Sequence, residues 1–133
     1  MIYTKDNPKL VKYLSGFENY ETFTGVVKDD RNTIAYYLNG KIHREDGPAI
    51  ENFDGSKWWY LNGKRHRTDG PAVEKSDGSK LWYLNDHFHR EDGPAVELLN
   101  GSKSWWLNGK CYGYNNDFTN ESWIRFVRLQ FLK

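Results

Sequence analysis

The sequence predicts a mainly β fold: an elongated, twisted antiparallel β-meander of tandem hairpin repeats, with a short N-terminal helix and a C-terminal capping helix. Three observations predict it. The block Asp46-Gly47-Pro48-Ala49 returns as Asp69-Gly70-Pro71-Ala72 and as Asp92-Gly93-Pro94-Ala95, and 69 − 46 = 92 − 69 = 23 residues. A fixed period of roughly 20–50 residues marks a stacked array. Tyr37-Leu38-Asn39-Gly40 returns at the same period as Tyr60-Leu61-Asn62-Gly63, Tyr83-Leu84-Asn85-Asp86 and Trp106-Leu107-Asn108-Gly109. Asn-Gly after an aromatic run is a strong hairpin signal, because both central residues of a type I′ turn need positive φ. After Gly109 the period stops, and apolar residues follow at helical spacing.

The chain reads as one domain of 133 residues, divided into a leader (1–21), a β-repeat array (22–109) and a helical cap (110–133). In the leader, Asn7 is placed as an N-cap, Pro8 as the first helical residue and Gly16 just past the end. Leu10, Val11 and Leu14 share one face of that short helix. Glu21 to Asn32 is a worn half-repeat: shifted by one period, Thr24 to Lys28 lies over Gly47 to Glu51 and keeps the apolar pattern, so Thr22 to Lys28 reads as the strand that starts the sheet.

Each full unit then holds one hairpin. In the second unit, Lys57 to Leu61 goes out, Asn62-Gly63 turns, and Lys64 to Glu74 returns. Arg67-Thr68-Asp69-Gly70 reads as a bulge or corner, since Pro71 needs a place where no ladder donor is required. Asp77-Gly78-Ser79 leads into the next unit. The expected total is about seven or eight strands. At the end, Trp123, Phe126, Val127 and Phe131 fall at i, i+3, i+4 and i+8 of an amphipathic helix, with Thr119 or Asn120 as its N-cap. Repeat arrays need caps at their ends, and this helix is read as one.

Composition removes several function classes. Lys and Arg total 19 against 18 Asp and Glu. Phosphate contacts supply most of a nucleic-acid binder's affinity, so the missing basic excess argues against nucleic acid. No stretch approaches the ~20 apolar residues that span a bilayer. Met1 to Asp6 has no apolar run of signal-peptide type, so a cytoplasmic location is expected. Cys111 is the single cysteine, which rules out a disulfide within the chain. No phosphate loop, H-E-x-x-H or G-x-S-x-G occurs. No catalytic, cofactor-binding or metal-binding residue is therefore assigned.

Strand alternation sorts the repeated columns. Tyr36, Trp59, Trp82 and Trp105 share a side with the leucine column and are expected in the core with Val73 and Val96. Tyr37, Tyr60, Tyr83 and Trp106 fall opposite and are paired with the Ala49, Ala72 and Ala95 column and with Glu51, Glu74 and Glu97. That face is expected to be the more open one. Exposed aromatic patches mark interaction sites, so these tyrosines, Trp106 and the three glutamates are the candidate partner-binding residues. Cross-strand aromatic pairing that only stabilises the sheet fits the same column. His87 and Phe88 join the candidates because the Asp86-His87-Phe88 tip departs from the repeat. Phe53 is a further departure. His43, His66 and His89 recur with Asp46, Asp69 and Asp92. Strands lie about 4.8 Å apart, so equivalent groups two strands on are roughly 10 Å apart and cannot share an ion. A structural role is expected for them, with each Asp bonding its own turn.

The unit Trp59-Tyr60-Leu61-Asn62-Gly63-Lys64-Arg65-His66, closed by Asp77-Gly78-Ser79, resembles the MORN repeat over roughly residues 33–113. The family's small residue after the histidine is replaced by Arg44, Arg67 and Arg90, followed by Asp-Gly-Pro-Ala. The variant running H-R-E-D-G-P-A looks like repeats of small phage and other viral or bacterial proteins. The resemblance implies a non-enzymatic role in binding proteins or membranes. The expected function is a protein-binding module, an inhibitor or adaptor of a host defence protein that acts by occlusion. The alternative is a small ligand of choline or glycan type held by the aromatic face. An open sheet edge could also support a homodimer.

Overall fold

The computed structural model describes residues 23–131. The expected N-terminal helix lies outside the described residues. The fold is a mainly antiparallel β-meander with one helix at its C-terminal end.

The first strand, β1 (Gly25–Lys28), pairs with β2 (Ile34–Leu38), which turns into β3 (Lys41–Ile42). β4 (Ile50–Glu51) closes the first unit. The second unit supplies β5 (Lys57–Trp58), β6 (Tyr60–Leu61), β7 (Lys64–Arg65) and β8 (Val73–Glu74). The third supplies β9 (Lys80–Leu81), β10 (Tyr83–Leu84), β11 (His87–Phe88) and β12 (Val96–Glu97). The last strands are β13 (Lys103–Leu107) and β14 (Lys110–Tyr114), before a 3-10 turn at Asn115–Asp117 and helix α1 (Asn120–Phe131). A 10-stranded sheet runs β1-β2-β4-β5-β8-β9-β12-β13-β14 with β3 beside β2, while β6–β7 and β10–β11 are separate two-stranded hairpins.

The strands are shorter and more numerous than expected because the two middle outgoing runs break at Trp59 and Trp82, while β2 and β13 run through unbroken. Trp59 N–H donates to Ala72 O at 2.7 Å, while Trp59 O accepts from His66 N–H at 3.0 Å. One residue thus bonds both ends of its return strand, and the 67–71 loop is pushed out between them. The hairpins are stitched to one another. Gly63 N–H donates to Ile42 O at 2.8 Å, and Asp86 N–H to Arg65 O at 2.9 Å. The turns have the expected left-handed backbone, for example φ 51° at Asn62 and 79° at Gly63.

The observed register overturns the expected pairing of faces. Direct partners place Ile50, Trp58, Val73, Leu81 and Val96 on one side. Glu51, Lys57, Glu74, Lys80, Glu97 and Lys103 alternate in charge on the other. Tyr83 lies with Val73 and Ala72 in one core cluster, which Trp58, Trp59, Leu81 and Phe88 flank. The Trp59 ring also reaches the glutamate side, where Arg67 lies over it and pairs with Glu74. A one-residue change of register exchanges faces, and the register is set on the return strand, where Trp59 bonds both Ala72 and His66 around the expelled 67–71 loop.

A second cluster joins α1 to the array: Trp105, Leu107, Trp123 and Val127, flanked by Tyr112, Phe118 and Phe126. Thr119 is the cap. Its Oγ1 accepts Ser122 N–H at 3.1 Å, and Ser122 Oγ accepts Thr119 N–H at 2.8 Å. The buried helix face ends before Phe131, which is exposed. Among the described residues no helix is long and apolar enough to cross a membrane.

Candidate functional site

The H-R-x-D-G-P-A motif is consumed by the architecture, residue by residue. Each histidine Nδ1 accepts the backbone N–H of the asparagine that opens the next turn. The distances are 2.9 Å from Asn62 to His43, 3.1 Å from Asn85 to His66 and 3.0 Å from Asn108 to His89. Asn39, which has no histidine one unit before it, donates to Thr24 Oγ1 at 2.9 Å. Nε2 of His43 and of His89 faces Glu45 and Glu91 at 3.4 and 3.5 Å.

Each arginine lies over the aromatic ring eight positions earlier. Arg44 sits 4.1 Å from the Tyr36 ring centre, Arg67 3.9 Å from Trp59 and Arg90 3.8 Å from Trp82. Nε of the three donates to Asp46, Asp69 and Asp92 at 2.8–2.9 Å. Nη1 donates to the carbonyls of Pro48, Pro71 and Pro94 at 3.0–3.2 Å. The same Nη1 reaches Glu51, Glu74 and Glu97 at 3.3–3.7 Å. The aspartates were expected to bond their own turn's backbone. They clamp arginine instead, and the arginine bond holds the Asp46 and Asp69 carboxyls below the ordinary value. Glycine leaves room for this stack: a Cβ at 70 would stand 2.8 Å from Arg67 Cζ, so the guanidinium would have to shift. Ala49, Ala72 and Ala95 are fully buried.

The tyrosine column is not the open surface expected of it. Tyr83 is 6% exposed, and Tyr37, Tyr60 and Trp106 are half-buried. Burial pushes the Tyr60 and Tyr83 hydroxyls up from their usual titration range. Phe88 does not project from its hairpin. It stacks on Tyr83 at 4.4 Å between ring centres and meets Trp106 at 5.1 Å. Glu51, Glu74 and Glu97 are half-buried under the arginines, while His87 is exposed. Asp86 in place of the turn glycine accepts Arg65 Nε at 2.8 Å, and Arg65 lies over the outer side of Tyr83. Burial opposes ionisation of Asp86, but the Arg65 bond outweighs it and the carboxyl is held low. Phe53 is exposed at the rim with Arg31 over its ring.

What the repeats leave open lies on the tryptophan side. Two clefts of about 610 and 620 Å³ occur one unit apart. The first is floored by Trp82 and Leu84 and walled by Arg67, Asp69 and Glu91. The second is floored by Trp59 and Leu61 and walled by Arg44, Glu45 and Asp46. Exposed Thr68 lies on the ridge that both share. The next position along, over Trp105 and Leu107, is filled by α1. The sequence signal for this face was present: arginine and Asp-Gly-Pro-Ala are lost together in the fourth unit, where Gly113 stands in the arginine position.

The histidine ladder spreads its groups along the sheet, and among the described residues no group of three or more His, Cys, Asp or Glu could hold a metal ion. Half-buried Cys111 donates weakly to Gly113 O at 3.5 Å. Comparison of the chain with models of protein families, with curated proteins and with solved structures gave no match.

Proposed function

We propose that this chain is a non-enzymatic protein-binding module that acts by covering a surface of its partner. The observation that supports it is the pair of like clefts at the repeat period, open beside a third position that a helix fills. The motif's arginines and aspartates hold one another and its histidines hold the next turn, so the face offers shape, apolar floor and a charged rim. Such repeated concave surfaces suit extended partners. The likeness of the H-R-E-D-G-P-A units to phage repeats favours a host protein, such as a defence factor, met in the cytoplasm. The reading moves the binding face from the tyrosine column to the tryptophan side. A choline- or glycan-type ligand is less well supported, because the chain's own guanidiniums already cover Tyr36, Trp59 and Trp82.

The test is affinity capture from host lysate with the wild type beside a Leu61→Asp/Leu84→Asp variant of unchanged thermal midpoint. A protein captured by the first and lost by the second supports the reading. Equal capture by both moves binding off this face, and capture of nothing by either removes the reading.

A further inference from the structure

We infer that the two open clefts take a basic amphipathic helix of the partner protein, seated through a tryptophan as α1 seats its own Trp123. This rests on the protein-binding reading above and specifies what the partner presents.

The third position supplies the template. Trp123 is fully buried, meets Trp105 at 5.6 Å between ring centres, and donates its Nε1–H to Arg90 O at 2.8 Å. Under this helix Gly93 and Pro94 are buried, whereas Gly47, Gly70, Pro48 and Pro71 are only half-buried. Moving back by 23 residues maps Trp105, Leu107 and Arg90 onto Trp82, Leu84 and Arg67, and again onto Trp59, Leu61 and Arg44. Both open clefts therefore repeat the floor residues and the carbonyl that α1 uses, with one difference: a guanidinium lies over each Trp ring, where Gly113 leaves Trp105 to Phe118 and Trp123. Among the described residues nothing donates to Arg67 O or Arg44 O. An indole N–H entering either cleft finds the same acceptor that Trp123 has.

Charge sets the rest of the occupant. Each ladder arginine faces two carboxylates, its own Asp and Glu. Glu45 and Glu91 add two more on the rims, both exposed. The lining of each cleft thus holds three carboxylates against two guanidiniums, Asp69, Glu91 and Asp92 in the first and Glu45, Asp46 and Asp69 in the second, and a helix with lysine or arginine beside its apolar stripe complements that acidic excess. A second copy of this chain is a poor occupant, because its α1 is already docked.

The experiment uses the full chain with 15N-labelled indoles and a synthetic peptide of residues 118–131 as the probe. The expected result is movement of the Trp59 and Trp82 indole signals with Trp123 unmoved. A Trp123→Phe peptide should bind ~3- to 10-fold weaker for want of the N–H donor. Thr68→Arg in the protein, with an unchanged thermal midpoint, should weaken binding about tenfold through like-charge contact. Unmoved Trp59 and Trp82 signals at saturating peptide would overturn the inference. So would a Trp123 signal that shifts with them, because the peptide would then be replacing α1. Indifference to Thr68→Arg has the same meaning. A partner captured on this face through an extended segment removes the helix and leaves the protein-binding reading in place.

Discussion

The guanidinium of Arg90 lies 3.8 Å from the ring centre of Trp82. Gly93 is what makes room for it: a Cβ there would stand 2.6 Å from Arg90 Cζ, against 2.8 Å at Gly70 and 3.1 Å at Gly47. Gly93→Ala should therefore displace the arginine and destabilise the chain by about 1–2 kcal/mol, the worth of its stacking and hydrogen bonds. Gly47→Ala should be milder. In an Arg90→Ala background, Gly93→Ala should have an effect below about 0.5 kcal/mol, because the obstructed group is gone. Urea unfolding of the four chains checks this, and additive effects would show that glycine serves another purpose.

The aspartate clamps give the array an acid limit. Asp46 and Asp69 titrate below the ordinary 3.8 because Arg44 and Arg67 donate to them. The folded state then binds these protons less readily than the unfolded state. Their stabilisation is complete above the ordinary value and is lost as pH falls through the lowered one. Thermal midpoints measured from about pH 6 to pH 2 should fall less steeply for Asp46→Asn/Asp69→Asn than for the wild type. Identical slopes would mean that the pairs do not persist in solution.

Tyr83 now carries a stability prediction. It is 6% exposed, has Phe88 stacked on it at 4.4 Å, and accepts Arg65 Nη1 at its hydroxyl. Tyr83→Ala should lower unfolding free energy by about 3–5 kcal/mol. Tyr60→Ala, at a half-buried site, should lower it by less. A Tyr83→Ala chain of unchanged midpoint would return the column to the surface.

His66 fixes a tautomer. Its Nδ1 accepts Asn85 N–H at 3.1 Å, so the neutral ring must carry its proton on Nε2. Ring 15N shifts at neutral pH should report that form for His43, His66 and His89 alike. His66→Ala should destabilise by about 1–2 kcal/mol, since it leaves a backbone donor of the next unit unpaired. A ring protonated on Nδ1 would contradict the ladder.

The parts of this fold that depend on local rules were legible in the residues. Asn62-Gly63 needed positive φ and has it, Thr119 caps α1, and β1 lies inside the expected Thr22-to-Lys28 stretch. The pairing of faces was not legible, because alternation by two sorts one strand but does not fix its register against the next. Trp59 bonds Ala72 and His66 at once, so the return strand carries the extra 67–71 loop, and no spacing in the sequence says where that loop leaves the ladder. The arginine ladder was hidden for a related reason. Arg67 meets Trp59 only because the 67–71 loop is expelled from the sheet, and no spacing rule for strands or helices brings such residues together. The tyrosines were consequently assigned to the surface and the tryptophan clefts to the core.

Trp123 decides whether the cap is structural. It is fully buried, packs on Trp105, Phe118, Tyr112 and Phe126, and donates to Arg90 O at 2.8 Å. Where the earlier units lay arginine over their aromatic ring, this one lays a helix over Trp105, and Gly113 leaves no side chain that could substitute. Trp123→Ala should cost about 3–5 kcal/mol, the usual range for emptying a buried tryptophan site. Trp123→Phe keeps most of the ring but drops the donor, and about 1 kcal/mol should be lost. Loss of α1 would bare Trp105 and Leu107, so the alanine chain should also bind a hydrophobic dye more strongly. Urea midpoints in the order wild type, Trp123→Phe, Trp123→Ala support the cap. An alanine chain as stable as the wild type would mean that the array holds its last strands without the helix.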